Sequence, residues 1–138
     1  MRNLHRYTVV LLLVAGSVVA HAQSSLRGKW RGMEGNVPNI ELTVEQNADR
    51  ATGSAVFYML KKDSEDSAPQ VEGQVAGPME NLNYQPEKLS FDMHRRDGSV
   101  MSFRVELTDA NHAKLFRTSE HDAEGSGYDL TRVTNVQP

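Results

Sequence analysis

The sequence predicts an all-β fold: a single eight-stranded antiparallel up-and-down β-barrel, preceded by a cleaved signal peptide. Three observations carry that expectation. Beyond residue 23 the apolar residues recur with a period of two rather than the 3.6 of a helix. Turn residues return about every ten positions, the rhythm of short antiparallel strands. Gly28-Lys29-Trp30 opens the first such segment, and Leu130-Thr131-Arg132 closes the last.

Residues 1–22 read as the signal peptide. Arg2 and Arg6 form a basic start, an apolar stretch begins at Val9, and Ala20-His21-Ala22 gives a small-x-small cleavage site before Gln23. The apolar stretch is shorter than the ~20 residues that a membrane-spanning helix needs. The expected localisation is therefore periplasmic or secreted. No cysteine lies near the cleavage site, which excludes a lipid anchor on that residue.

The remaining residues, 23–138, have the length of one domain and can bury enough surface for one core. The chain has no cysteine, so packing and sheet closure must hold it together without disulfides. Without Arg2 and Arg6, 13 of the 15 basic residues remain against 18 acidic ones, a formal charge of −5. That balance argues against a nucleic-acid partner, which needs a basic face, and against an anionic membrane surface.

Eight strands are expected, near 26–34, 39–46, 51–61, 70–77, 87–95, 99–108, 113–120 and 127–134. Met79-Glu80-Asn81-Leu82-Asn83-Tyr84 lies between Pro78 and Pro86 and reads as a loop with one turn. The hairpin at Asp97-Gly98 fixes its own register. A two-residue turn would set Phe91 opposite Arg104, mixing apolar and charged side chains on one face. A three-residue loop Arg96-Asp97-Gly98, with Gly98 in the left-handed conformation, pairs Met93 with Met101, Phe91 with Phe103 and Leu89 with Val105. Similarly, a four-residue loop Asn47-Ala48-Asp49-Arg50 sets Leu42 against Ala55 and Ile40 against Phe57. Gly53, Ala55, Gly73 and Gly77 are small residues that mark strand curvature or room for a bound group, with curvature the plainer reading.

Gly28-Lys29-Trp30 resembles the Gly-x-Trp of the first strand in calycins, the lipocalins, fatty-acid-binding proteins and their bacterial relatives. Arg132 resembles the last-strand arginine of those barrels. Leu26-Arg27-Gly28-Lys29-Trp30-Arg31-Gly32 is similar to the opening of small secreted bacterial domains of the same general kind. The resemblance implies a structural closure in which Gly28, Trp30 and Arg132 seal one barrel end, with Arg132 stacked over Trp30. The two-residue period is compatible with this, because Leu26, Gly28 and Trp30 share a face, as do Tyr128, Leu130 and Arg132. The chain lacks the cysteines, a clear C-terminal helix and the further signature motifs of true lipocalins.

Motifs with chemistry of their own are sparse. His94, His112 and His121 fall at no recognised metal-ligand spacing, even though His121 sits between Glu120 and Asp122. No nucleophile-elbow motif supports a Ser-His-Asp arrangement. Lys62-Asp63-Ser64-Glu65-Asp66-Ser67 lacks the glycine and the final glutamate of a calcium loop and reads as a solvated connection. No cofactor, metal or catalytic residue is expected. Phe57, Met59, Phe91, Met93, Met101 and Phe103 are candidate lining for a cavity holding one small hydrophobic ligand, with Tyr128 or Arg117 as polar anchor. A barrel of eight strands is either filled by such side chains or holds a small ligand, and both remain open here. The alternative is a solid barrel acting as a periplasmic protein-interaction protein or, by the resemblance, a protease-inhibitor-like one, with Gln23-Ser24-Ser25 reaching into the partner. An enzyme is the outsider, since it requires polar groups to converge in a pocket.

Overall fold

The structure, a computed structural model, describes residues 24–118 and 127–134. The expected signal peptide and His121 lie outside the described residues. Within them the protein is all-β: β1 (Gly28–Glu34), β2 (Val37–Asn47), β3 (Arg50–Lys61), β4 (Gln70–Pro78), β5 (Glu80–Tyr84), β6 (Lys88–His94), β7 (Val100–Asp109), β8 (His112–Arg117) and β9 (Tyr128–Arg132). They form one antiparallel sheet in the order β4-β3-β2-β1-β9-β8-β7-β6-β5, nearly closed into a barrel. No helix of the described residues is long and apolar enough to cross a membrane.

The additional strand is β5, in the segment that the sequence reads as a loop. Its alternation is disguised by a bulge. Glu80 pairs with Asp92 and Asn83 with Ser90, so one residue is inserted between them. Asn81 takes the left-handed conformation there (φ 49°), which asparagine tolerates better than most residues. The insertion shifts the inward phase from odd to even, so that buried Met79 and half-buried Leu82 and Tyr84 all contact the core. Only Met79 separates β4 from β5. The two are halves of one bent strand whose first half pairs with β3 and whose second half pairs with β6. Eight expected strands thereby become nine, and the sheet's two ends belong to the same stretch of chain.

The β6–β7 hairpin has the register Leu89–Val105, Phe91–Phe103 and Met93–Met101, with Gly98 at φ 85°. This agrees with the register deduced from the apolar pattern. In the β2–β3 hairpin, Ile40 faces Phe57 and Leu42 faces Ala55 as expected, but pairing continues to Asn47 and Arg50. The turn is thus two residues, Ala48-Asp49, rather than four, and Ala48 has φ 52°. Tight two-residue hairpins require such left-handed residues because the twist of the strands demands it.

The core occupies the end of the barrel where β1 starts and β9 finishes. Leu26, Trp30, Leu42, Leu89, Leu115 and Leu130 are each 1% exposed or less. Fully burying a side chain of this size contributes roughly 1.5–3 kcal/mol relative to leaving it exposed, and this layer carries much of the fold's stability. Gly53 is needed at the bend. A Cβ there would collide with Met79 Sδ and lie 2.9 Å from the Thr43 carbonyl oxygen, so Met79 fits only over a glycine.

Candidate functional site

The closed end is built around Arg132. Trp30 and Arg132 are backbone neighbours in the β1–β9 ladder, and the guanidinium carbon lies 4.3 Å from the Trp30 ring centroid. Arg132 donates from Nε to the Ala110 carbonyl (2.9 Å), from Nη1 to that of Arg27 (2.6 Å) and from Nη2 to that of Ser25 (2.5 Å). The Trp30 indole N–H donates to the Leu26 carbonyl at 2.9 Å. Gly28 leaves room for the guanidinium: it has φ 117°, and a Cβ on it would sit 3.1 Å from Arg132 Nη1. Ser25 is thereby tied to the closed end, and the Leu26 N–H is bonded to the Pro86 carbonyl.

The other end is a cup. A cavity of about 990 Å³ opens there, walled by Ile40 from β2, Phe57 and Met59 from β3, Val75 from β4 and Met101 and Phe103 from β7. Phe57 stacks on Phe103 with ring centroids 4.7 Å apart, and Phe91 packs beneath Phe103 at 5.3 Å. Met59 and Tyr128 are half exposed at the rim, while Val71, Met33 and Val100 are exposed near the same strand ends. A Cβ on Gly73 would meet the Met59 methyl at 2.7 Å, so this glycine gives Met59 its place along the wall.

Of the eight candidate lining residues, Phe57, Met59, Met101, Phe103, Arg117 and Tyr128 border the cavity. Phe91 and Met93 do not; they are 2% and 1% exposed in the core below it. All eight share inward positions, but depth along the barrel separates them, and a two-residue period does not encode depth. Sequence reasoning missed Asn39, Arg95 and Arg96, which also border the cup. Arg95 continues the odd, inward phase of Leu89, Phe91 and Met93 and could have been found by it, whereas Arg96 belongs to the β6–β7 turn, where no periodic signal operates.

Several polar groups face this cavity. Arg117 lies opposite Phe103 in the β7–β8 ladder, on an inward position. Among the described residues no carboxylate forms an ion pair with Arg95, Arg96 or Arg117. Asp97 also borders the cup, but its Oδ1 accepts from Ser99 Oγ at 2.6 Å and Ser99 N at 2.9 Å. Those bonds hold its carboxyl below the usual range, the hydroxyl bond contributing most. Glu34 is 3.6 Å from Lys62 Nζ. Asn39 Oδ1 is buried with no hydrogen-bond donor among the described residues.

Of the described histidines, His94 and His112, neither borders this cavity. His94 Nδ1 contacts Glu80 on the outer face, and His112 Nδ1 lies 2.8 Å from Asp109. Among the described residues, no three His, Asp or Glu side chains converge as a metal site. A second hollow of about 500 Å³ lies between the start of β3 and β5, bordered by Asp49, Arg50, Leu82 and Tyr84. No protein-family model matches the chain, and neither a curated protein nor a solved structure is found to be similar to it.

Proposed function

We propose that the protein is an exported, non-catalytic binding module that holds a small amphipathic molecule in the open half of its barrel. The observation that carries this reading is the cup itself: about 990 Å³ of space over an aromatic floor, with the Arg117 position turned inward. Its volume is at the upper end of the roughly 300–1,000 Å³ typical of small-molecule sites. The Phe57–Phe103 stack and the Met59 and Met101 side chains suit an apolar body. Methionine side chains adapt to irregular shapes, which favours a ligand of variable outline. Arg117, with Arg95 and Arg96 at the rim, suits an acidic group on the ligand. Trp30 and Arg132 seal the far end, so the ligand enters and leaves by the mouth.

The leading experiment is native mass spectrometry of the protein purified from its own exported fraction, compared with the mass after organic extraction. A bound small molecule of amphipathic character is the expected result. Titration with the anionic apolar fluorophore anilinonaphthalene sulfonate supplies the second arm. Arg117→Gln is expected to weaken its binding about tenfold, the scale of one charge-assisted hydrogen bond, while leaving the melting temperature unchanged. An empty mass together with no saturable fluorophore binding overturns this reading.

A further inference from the structure

The bent strand leaves a notch in the barrel wall on the side of the cup. Through Met79 the chain changes partners, from β3 to β6. Above that bend β4 keeps β3 along its length, from Ser54–Pro78 to Lys61–Gln70, and has no hydrogen-bonded strand on its other side. Across the notch stand Arg95 and Arg96, which border the same cavity as Glu72, Gln74 and Val75 of β4.

Three features distinguish this edge from a merely frayed one. It is long, and its backbone donors and acceptors on the open side have no strand to pair with, so they form a template for another strand. Its protection sits at its ends: Pro69 precedes it, Pro78 closes it and a bulge lies between Gly73 and Val71, while from Gly73 to Gly77 there is no lysine, proline or charged residue. Finally, Val71 is half exposed beside it, and Val75 turns towards the cup. A hydrocarbon surface would leave the free peptide groups unsatisfied, at a cost comparable to a lost hydrogen bond for each. A peptide backbone satisfies them.

We propose that the β4 edge is a docking site for an extended segment of a partner protein, which adds as a strand and fills the notch between β4 and the β6–β7 turn. Strand addition supplies affinity through the backbone and selectivity through alternate side chains. Here alternate side chains of the segment point into the cup and are apolar, complementing Val75 and Met101. An acidic residue of the segment meets Arg95 and Arg96, which have no ion-pair partner among the described residues. This inference concerns the edge and holds whether or not a small molecule occupies the floor of the cup.

The test uses a capped octapeptide alternating valine and threonine with glutamate at each end, followed by two-dimensional NMR of the protein. Saturable binding is expected at or below about 1 mM, with slowed hydrogen exchange confined to β4 amides. N-methylation of alternate peptide nitrogens is expected to weaken binding at least about tenfold, because each removes a backbone donor. Arg95→Glu/Arg96→Glu should weaken it comparably, and a peptide with lysine ends should then bind better than the original. A Val71→Lys protein with an unchanged melting temperature should lose binding. No protection of β4 by the peptide overturns the proposal, as does equal binding of the N-methylated peptide. A concentration-dependent dimer that protects the same amides without peptide overturns it in favour of a second copy as the occupant.

Discussion

Replacing Arg132 with methionine keeps much of the side chain's apolar length but removes its three donors and its charge. The three carbonyls it serves, those of Ser25, Arg27 and Ala110, come from the N-terminal segment and the β7–β8 turn. Arg132 thus joins parts of the chain more than a hundred residues apart at one end of the barrel. A hydrogen bond to a charged group contributes roughly 1.5–3 kcal/mol when well shielded, but water reaches much of this site, so about 0.5–1 kcal/mol for each is appropriate. Loss of the guanidinium over Trp30 removes about 1 kcal/mol more. The expected destabilisation is therefore about 3 kcal/mol, which for a domain of this size lowers Tm by roughly 10–20 °C. Urea unfolding should be followed by far-UV circular dichroism and by tryptophan emission, because Trp30 is the sole tryptophan and reports directly on this end. A double-mutant cycle with Trp30→Phe isolates the ring–guanidinium contact, with an expected coupling of roughly 0.5–1 kcal/mol. A Tm change under about 3 °C, or a coupling indistinguishable from zero, refutes the argument that Arg132 holds the barrel end.

Ala48→Gly should stabilise the protein by about 1 kcal/mol, read as a higher urea midpoint, because Ala48 holds a left-handed conformation that glycine adopts without strain. Gly53→Ala should destabilise it by roughly 1–3 kcal/mol, since the new Cβ collides with Met79 and crowds the Thr43 carbonyl; a neutral effect in thermal unfolding would mean that β4 and β5 bend elsewhere. Asp92 accepts from Asn81 Nδ2 at 3.0 Å and from Ser102 Oγ at 2.7 Å, and these bonds, the first more than the second, hold its carboxyl below the usual range. Asp109 is lowered chiefly by the Asn111 backbone N–H and then by His112. A depressed folded-state pKa stabilises above the unfolded value of about 3.9 and is lost as pH falls through the folded value, so urea midpoints should fall with acidification below about pH 5. Asp92→Asn should flatten that dependence and, if it does not, the β5–β6–β7 polar contacts are not its source.

What could be read from the sequence was the parity of side chains, and what could not was their depth and their local bends. The β6–β7 register followed from one constraint, that Phe91 and Phe103 share a face, and it holds over seven residue pairs. The segment around Asn81 carries no strand signal because an inserted residue reverses parity halfway along, and two short fragments of opposite phase look like a loop. The two-residue turn at Ala48-Asp49 is hidden in the sequence because alanine gives no signal for a left-handed residue. In the cup, inward parity grouped Met93 with Met59, although the first is 1% and the second 52% exposed. Arg96 comes to the cavity through a turn, while Arg95 follows the inward phase of β6 and reaches the cup because the hairpin ends at its rim.

The bend at Met79 explains why the packed core and the open cup lie at opposite ends. Below it, β5 completes the wall beside β6, and the side chains of Leu26, Trp30 and Leu89 fill the interior. Above it, β4 diverges with β3, and the same length of chain cannot also close the wall beside β6. A straight strand in place of the bent pair would close one edge fully and leave the other without a partner. The bend divides the gap into an upper notch beside the cup and a lower hollow between β3 and β5. The Met79 N–H bond to the Gly53 carbonyl, 2.8 Å long, pins the crossing point where the two gaps meet. Loosening it should therefore alter both cup access and global stability, whereas substitutions at Arg117 or Val71 should alter binding alone. That separation ties Gly53, Met79 and Arg132 to the fold, and assigns Arg95, Arg96 and Arg117 to the cup whose binding is proposed.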